Sequence, residues 1–131
     1  MIGDASERTE SKREDERREP SVDADEFYRA LSREPRRRVL YYLQENDTAS
    51  VRELCDVLAG WEAVGRSRSV GTETRDRIRH TLYHNDLPKL DHAGLVAYDP
   101  DQRRVALSPL PSELSSILRR AREYDARSDP A

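Results

Sequence analysis

The chain has 131 residues, of which 35% are hydrophobic and 37% charged, and its formal net charge is -3. This size and composition predict one small domain with polar tails, and they argue against a second hydrophobic core or a large catalytic cleft. No apolar run approaches the roughly 20 residues needed to cross a bilayer, and the N-terminus is charged where a signal peptide is apolar, so we expect a cytoplasmic protein without a membrane partner.

The chain begins with a charged segment and a first helix. Residues 1–22 have almost no large apolar side chains and no helical periodicity, which predicts a disordered tail. The first helix is predicted to begin near Asp23 or Asp25, where an acid can cap free backbone amides, and to end near Ser32. Its predicted buried face has three apolar residues: Phe27, Ala30 and Leu31.

A second helix follows, and it has the densest basic cluster of the chain. Pro35 suits its first turn because the missing amide would have no partner there, and the helix should run to about Asn46. Its apolar positions repeat at helical spacing: Val39, Leu40 and Leu43. Three consecutive arginines form the cluster: Arg36, Arg37 and Arg38. We expect at least one of them to make an internal ion pair, while the others are free to contact phosphates.

The third helix opens with a capping box, in which Ser50 is followed three residues later by Glu53. Its predicted apolar positions are Val51, Leu54, Cys55, Leu58 and Trp61. A buried structural thiol is the expected role of Cys55, the single cysteine, which agrees with a reducing compartment. Residues 60–71 are rich in Gly, Ser and Arg, and they predict a long connection rather than a tight turn.

The fourth helix is predicted to begin at Thr72, which can cap it, and to bury an apolar stripe. The stripe consists of Ile78, Leu82, Tyr83, Leu87 and Leu90. It drifts around the helix, and Pro88 should kink the backbone. Gly94 then suits a left-handed turn, because that conformation needs no Cβ, and an apolar strand starts immediately after it.

A hairpin completes the predicted domain, which covers residues 23–110. A last helix is predicted at residues 111–126, and residues 127–131 form a tail. Residues 99–102 form a turn cluster, and the alternating residues 103–107 supply the second strand. Pro111 and Ser112 can start the final helix, whose apolar stripe is Leu114, Ile117, Leu118, Ala121 and Tyr124. This stripe either packs against a second copy, which we favour and which predicts a homodimer, or folds back on its own domain.

The order helix, glycine, strand and hairpin predicts a winged helix-turn-helix, mainly α with a small β-hairpin wing. The segment LPKLDHAGLV, with the arginine-containing second helix, resembles winged-helix regulators of the ArsR type, and most closely a small haloarchaeal winged-helix domain family. The matching positions before the wing are Leu87, Leu90, Gly94, Leu95 and Val96. Lys12 and Lys89 are the only lysines, and arginine in place of lysine with abundant aspartate is typical of a halophilic archaeon. The resemblance implies a cytoplasmic, often dimeric, DNA-binding regulator of transcription, with its fourth helix in the major groove.

Helix geometry and the predicted wing give the candidate contacts to double-stranded DNA. They are Arg75, Arg77, Arg79, His80, His84, Arg103 and Arg104. Arginine suits bidentate contacts to guanine or phosphate, and neutral histidine can donate or accept a hydrogen bond. The alternative for any one of them is an ordinary solvated position. Asp76 and Asp86 oppose uniform docking on phosphates.

The sequence gives less support to functions other than DNA binding. We expect no enzyme and no cofactor, because the chain lacks a phosphate-binding glycine loop, a nucleophile motif and a paired set of carboxylates. His80 and His84 lie one helical turn apart, but no cysteine cluster accompanies them and Pro88 separates His92 from their helix, so we expect no metal site. The alternative function is a winged-helix module that binds protein. A DNA-binding protein should gather four arginines on one positive face, Arg77, Arg79, Arg103 and Arg104, whereas an interaction module should show a mixed face and an exposed apolar patch.

Overall fold

The computed structural model describes residues 22–66 and 71–128, and the tails predicted at residues 1–22 and 127–131 lie mostly outside these ranges. The described chain is mainly helical with a small three-stranded antiparallel sheet, which confirms the predicted mainly α architecture with a β-hairpin. Its elements are α1 Ala24–Leu31, α2 Glu34–Asn46, β1 Thr48–Ser50, α3 Val51–Arg66, α4 Thr72–Thr81, a π-helical segment Leu82–Asp86, α5 Leu87–His92, β2 Val96–Asp99, β3 Arg104–Leu107 and α6 Ser112–Ser128.

The predicted helix starts are confirmed at α1 and α3. The Asp23 carboxylate accepts a hydrogen bond from the backbone amide of Glu26 at 3.1 Å, which satisfies one of the free amides of the first turn. At α3 the capping box is reciprocal. The Ser50 hydroxyl accepts from the Glu53 amide at 3.0 Å, and the Glu53 carboxylate accepts from the Ser50 amide at 3.1 Å.

Two boundary predictions around the third helix are wrong. Residues 60–71 do not form one long connection, because α3 continues through Gly60 to Arg66. The Arg38 guanidinium lies 3.8 Å from the centre of the Trp61 ring, a contact from outside the helix that helps to hold this turn despite the glycine. At the start of α4 the residue that precedes the helix is Gly71, so Thr72 lies inside the helix and does not cap it.

The π-helical segment explains why the apolar stripe of the fourth helix drifts. Leu82 and Leu87 are five residues apart, a spacing that would rotate them by about 140° in a regular α-helix. The backbone amide of Leu87 instead donates to the Leu82 carbonyl, and this wider turn brings both side chains into the core, where each is fully buried. Pro88 follows this π turn in the first turn of α5.

The sheet has β3 in the centre, with β1 on one side and β2 on the other. Val105 of β3 lies opposite Ala49 of β1 and Tyr98 of β2. The sequence pattern does not predict β1, which has three residues between two helices. Gly94 has φ +80°, as its predicted left-handed turn requires, and the turn joins α5 to the hairpin.

The final helix packs on its own chain, which corrects the favoured prediction for its apolar stripe. Leu118 is fully buried in the same core as Phe27 and Leu40, and Leu114 and Ala121 pack against that core. Leu118 is therefore not available to a second copy. Only Ile117 and Tyr124 of the stripe are exposed, at 36% and 64%.

A three-residue polar cluster fixes α6 against α2. The Asp125 carboxylate accepts hydrogen bonds from Arg37 Nε at 2.8 Å and from the Tyr41 hydroxyl at 2.6 Å. Burial disfavours the ionised carboxylate, but the bonds from Arg37 and Tyr41 outweigh it, and the pKa of Asp125 lies below its ordinary value. Arg37 also donates to the Leu31 carbonyl at 2.8 Å. The expected internal role for at least one arginine of the basic cluster is therefore confirmed.

Replacing Asp125 with alanine should lower the free energy of unfolding by about 2 kcal/mol at neutral pH, because two partly buried donors lose a charged acceptor. Urea denaturation measures the change, with Glu123→Ala on the exposed side of α6 as the matched control. A carboxyl whose pKa is lowered by folding stabilises the protein above its unfolded pKa of about 4, and this contribution disappears on acidification. The difference between wild type and Asp125→Ala should therefore shrink below about pH 4, and a difference that does not change with pH would contradict the assignment.

Candidate nucleic-acid interface

An open groove of about 700 Å³ lies between the first turns of α3, one flank of α4 and the turn of the β2–β3 hairpin. Five arginines line it: Arg52, Arg75, Arg79, Arg103 and Arg104. Asp56 and Asp76 are the acidic residues of its lining, so the groove is basic although the whole chain has a negative net charge. We call this surface the arginine groove.

Arg75 and Arg79 lie one helical turn apart and so reach the arginine groove from the same flank of α4. Each is paired with an exposed acid: Arg75 Nη1 lies 2.9 Å from Asp56 Oδ1, and Arg79 Nη2 lies 3.0 Å from Asp76 Oδ1. Exposed pairs of this kind contribute little to stability. A guanidinium has five N–H donors, so one bond to a carboxylate leaves donors for an incoming phosphate or base edge.

The hairpin turn is held against the start of α3. Asp99 Oδ1 accepts from the backbone amides of Asp101 and Gln102 at 3.0 and 3.1 Å, which closes the turn. The next residue, Arg103, has φ +54°, a conformation that L residues seldom adopt, and its carbonyl accepts from the Val51 amide at 3.0 Å. Arg104 Nη2 donates to the Thr48 hydroxyl at 3.2 Å. These contacts place both hairpin arginines beside α3.

Three of the seven candidate DNA contacts lie elsewhere. Arg77 is on the other flank of α4, where its Nη2 lies 2.7 Å from Glu62 Oε1 and the residue lines a separate cleft. His80 and His84 are exposed, with ring centroids 4.5 Å apart, and neither lines the arginine groove. Arg52 also lines the arginine groove, although it is not among the seven candidates predicted from the sequence. Arg52 follows Ser50, the capping residue, and Val51, the first residue of α3. This position in the first turn of a helix was the signal that could have identified it.

Two other residues of interest, Asp86 and Cys55, are buried. Asp86 was expected to oppose phosphate docking, but its side chain is 1% exposed and so it does not lie on the surface. Cys55 is buried as predicted, and burial raises the pKa of its thiol, which favours the unreactive protonated form.

The described ranges, residues 22–66 and 71–128, contain no cluster of three or more His, Cys, Asp or Glu residues able to hold a metal ion. Over the same ranges, none of the helices combines the length and the apolar character that crossing a membrane requires.

A protein-family model described as "Domain of unknown function (DUF7344)" matches residues 28–106, which is more than half of the chain. The matched span includes every residue that lines the arginine groove. No curated protein matches the chain, and no solved structure matches it. On the strength of the family match, the chain belongs to the DUF7344 family.

Proposed function

We propose that this protein is a DNA-binding regulator of transcription without catalytic activity, in which a winged helix-turn-helix places α4 in the major groove and the hairpin along the backbone. The arginine groove is the observation that carries the proposal, because it gathers cations from three separate elements on one surface. The resemblance of the segment before the hairpin to ArsR-type regulators supports it.

The expected role of each arginine in the arginine groove follows from the helix or hairpin to which it belongs. Arg75 and Arg79 project from a helix, and a helix is the element that fits the major groove and reads base edges. Arg103 and Arg104 project from a braced turn, which suits contacts to phosphate oxygens that position the protein without reading sequence. Arg52 adds a cation from the first turn of α3.

The acids of the arginine groove make binding more selective. Asp56 and Asp76 reduce its positive charge, so attraction to any duplex is weaker than five arginines alone would give. A correct site must therefore supply acceptors that compete for Arg75 and Arg79 with their present partners. In a salt-rich cytoplasm, where counterion release contributes less, such hydrogen bonds carry a larger share of the affinity.

The double variant Arg79→Ala/Arg103→Ala tests the proposal, since it removes one cation from the helix and one from the hairpin. Fluorescence anisotropy should be measured with the DNA upstream of the protein's own gene and with a scrambled duplex, over a series of salt concentrations. We expect at least a tenfold loss of affinity for the upstream DNA. We also expect the slope of log K against log salt to become shallower by about 0.9, because Arg103 is the one of the two that should contact a phosphate and each phosphate contact contributes about that amount.

The matched control is Arg120→Ala, which removes one exposed cation from α6, outside the arginine groove. It should bind like the wild type. Equal losses in the control and the double variant would show that net charge and not the arginine groove sets the affinity. An absence of binding to either duplex at low salt would overturn the proposal.

A second candidate is a protein-binding module, which two observations favour. Arg77 does not join the other arginines, and the arginine groove contains two acids, so this face is more mixed than a purely electrostatic DNA surface. In either function we propose a homodimer, formed by the exposed half of α6 at Ile117 and Tyr124.

A further inference from the structure

A second cavity lies on the flank of α4 opposite to the arginine groove. It has a volume of about 310 Å³ and is enclosed by the start of α2, the second half of α3, α4 and the end of the π-helical segment. Its lining includes Leu58, Trp61, Arg77, Ile78, Thr81 and Asp86. We call it the Trp61 cleft. Its volume and its combination of apolar walls with a few charged groups are typical of small-molecule sites.

A buried carboxylate supplies the first specific group of the Trp61 cleft. The Asp86 side chain is 1% exposed, and Arg36 Nε donates to its Oδ1 at 2.9 Å. Its other oxygen, Oδ2, is buried and accepts no hydrogen bond from any residue that the structure describes. Buried polar atoms nearly always have partners. A buried carboxylate oxygen that lines a cavity and accepts no hydrogen bond indicates a ligand with a hydrogen-bond donor.

The other walls define the rest of such a ligand. Trp61, Leu58 and Ile78 form an apolar surface that suits an aliphatic or aromatic group. Arg77 is 58% exposed at the side of the cleft, and its single bond to Glu62 leaves guanidinium donors for a second anion. The cleft has equal numbers of arginines and acids in its lining, so a ligand with both charge signs fits better than a simple cation or anion.

We propose that the Trp61 cleft binds a free amino acid with an apolar side chain, or a similar small zwitterion. Its ammonium group donates to Asp86 Oδ2, its carboxylate accepts from Arg77, and its side chain packs on Trp61 and Leu58. The amino acid is bound without chemical change.

The Trp61 cleft and the arginine groove share one helix, and this gives the ligand a regulatory role that rests on the proposed function. Arg77 and Ile78 line the cleft, while Arg75 and Arg79 of the same helix line the groove. A ligand that favours one position of α4 changes the affinity for DNA, and the DNA changes the affinity for the ligand by the same factor.

The experiment uses the full chain without DNA and reads Trp61 directly, because Trp61 is the only tryptophan of the protein. Its fluorescence is followed during titration with L-leucine, L-isoleucine, L-valine, L-methionine and L-phenylalanine. Two analogues of leucine test the polar contacts, 3-methylbutylamine without the carboxylate and 4-methylpentanoate without the ammonium group. We expect a saturable change with at least one amino acid, and at least tenfold weaker binding of each analogue, as the loss of a charged hydrogen bond implies.

The variants separate the two contacts. Asp86→Asn and Arg77→Gln should each weaken the amino acid at least tenfold, while Arg120→Gln on α6 should leave its binding unchanged. Arg77 is exposed, so Arg77→Gln keeps the test valid even if Asp86→Asn fails to fold. No fluorescence change at millimolar concentrations, or binding that survives Arg77→Gln, would overturn the proposal. DNA affinity with and without the amino acid is then measured separately, so that a failure to bind DNA leaves the ligand result standing.

Discussion

Asp86→Ala is expected to lower the free energy of unfolding by about 3–5 kcal/mol, because it leaves the buried Arg36 guanidinium without its counter-charge. The two side chains are 6% and 1% exposed, and their bond joins α2 to the π-helical segment across 50 residues of sequence. Chemical denaturation followed by circular dichroism measures the change.

The control for this prediction is the double variant Arg36→Met/Asp86→Leu, which replaces the pair with apolar groups of similar volume. Removing two charges from water is costly in itself, so the double variant should be close to the wild type or more stable. That result would assign the loss in Asp86→Ala to the orphaned charge. A loss below about 1 kcal/mol in the single variant would contradict the burial of this pair.

The features that the sequence predicted correctly depend on residues close together in the chain. The caps at Asp23 and Ser50 need only a side-chain oxygen and an amide three residues later. The turn at Gly94 needs only a residue that tolerates a positive φ after a helix. Such signals are complete within a few positions, and distant parts of the fold seldom reverse them.

The features that could not be predicted from the sequence depend on contacts between distant residues. β1 has three residues, too few to show an alternating pattern, and it is a strand only because β3 passes beside it. The extension of α3 past Gly60 involves Arg38, which reaches Trp61 from another helix. The burial of Leu118 follows from α6 packing on α2, and an amphipathic stripe alone does not say which apolar surface covers it.

The candidate interface shows the same division. The sequence predicts that arginines form the interface and that α4 and the hairpin position them. It does not predict on which flank of α4 each arginine side chain lies. Arg77 and Arg79 are two residues apart, which corresponds to about 200° around a helix, and this spacing already argued against one shared face. The approach of Arg52 and Arg103 to the same groove required the hairpin turn to pack on α3.

The packing of α6 leads to the second large effect, because Leu118→Glu should unfold the domain and not merely separate two copies. Leu118 is fully buried, so the variant loses apolar burial and places a carboxylate among apolar side chains. We expect the free energy of unfolding to fall by about 4 kcal/mol or more. Ile117→Glu, one residue earlier and 36% exposed, should change it by less than about 1 kcal/mol. Thermal unfolding of the two variants under identical conditions measures the contrast.

The same pair of variants decides how α6 contributes to a dimer. If the exposed half of α6 joins two copies, light scattering should give a dimer mass for the wild type and a monomer mass for folded Ile117→Glu. A folded Leu118→Glu protein with a monomer mass would mean instead that α6 leaves its own domain and offers Leu118 to the partner. The polar cluster of Asp125, Arg37 and Tyr41 argues against that exchange, because all three side chains would have to give up their hydrogen bonds before α6 could move.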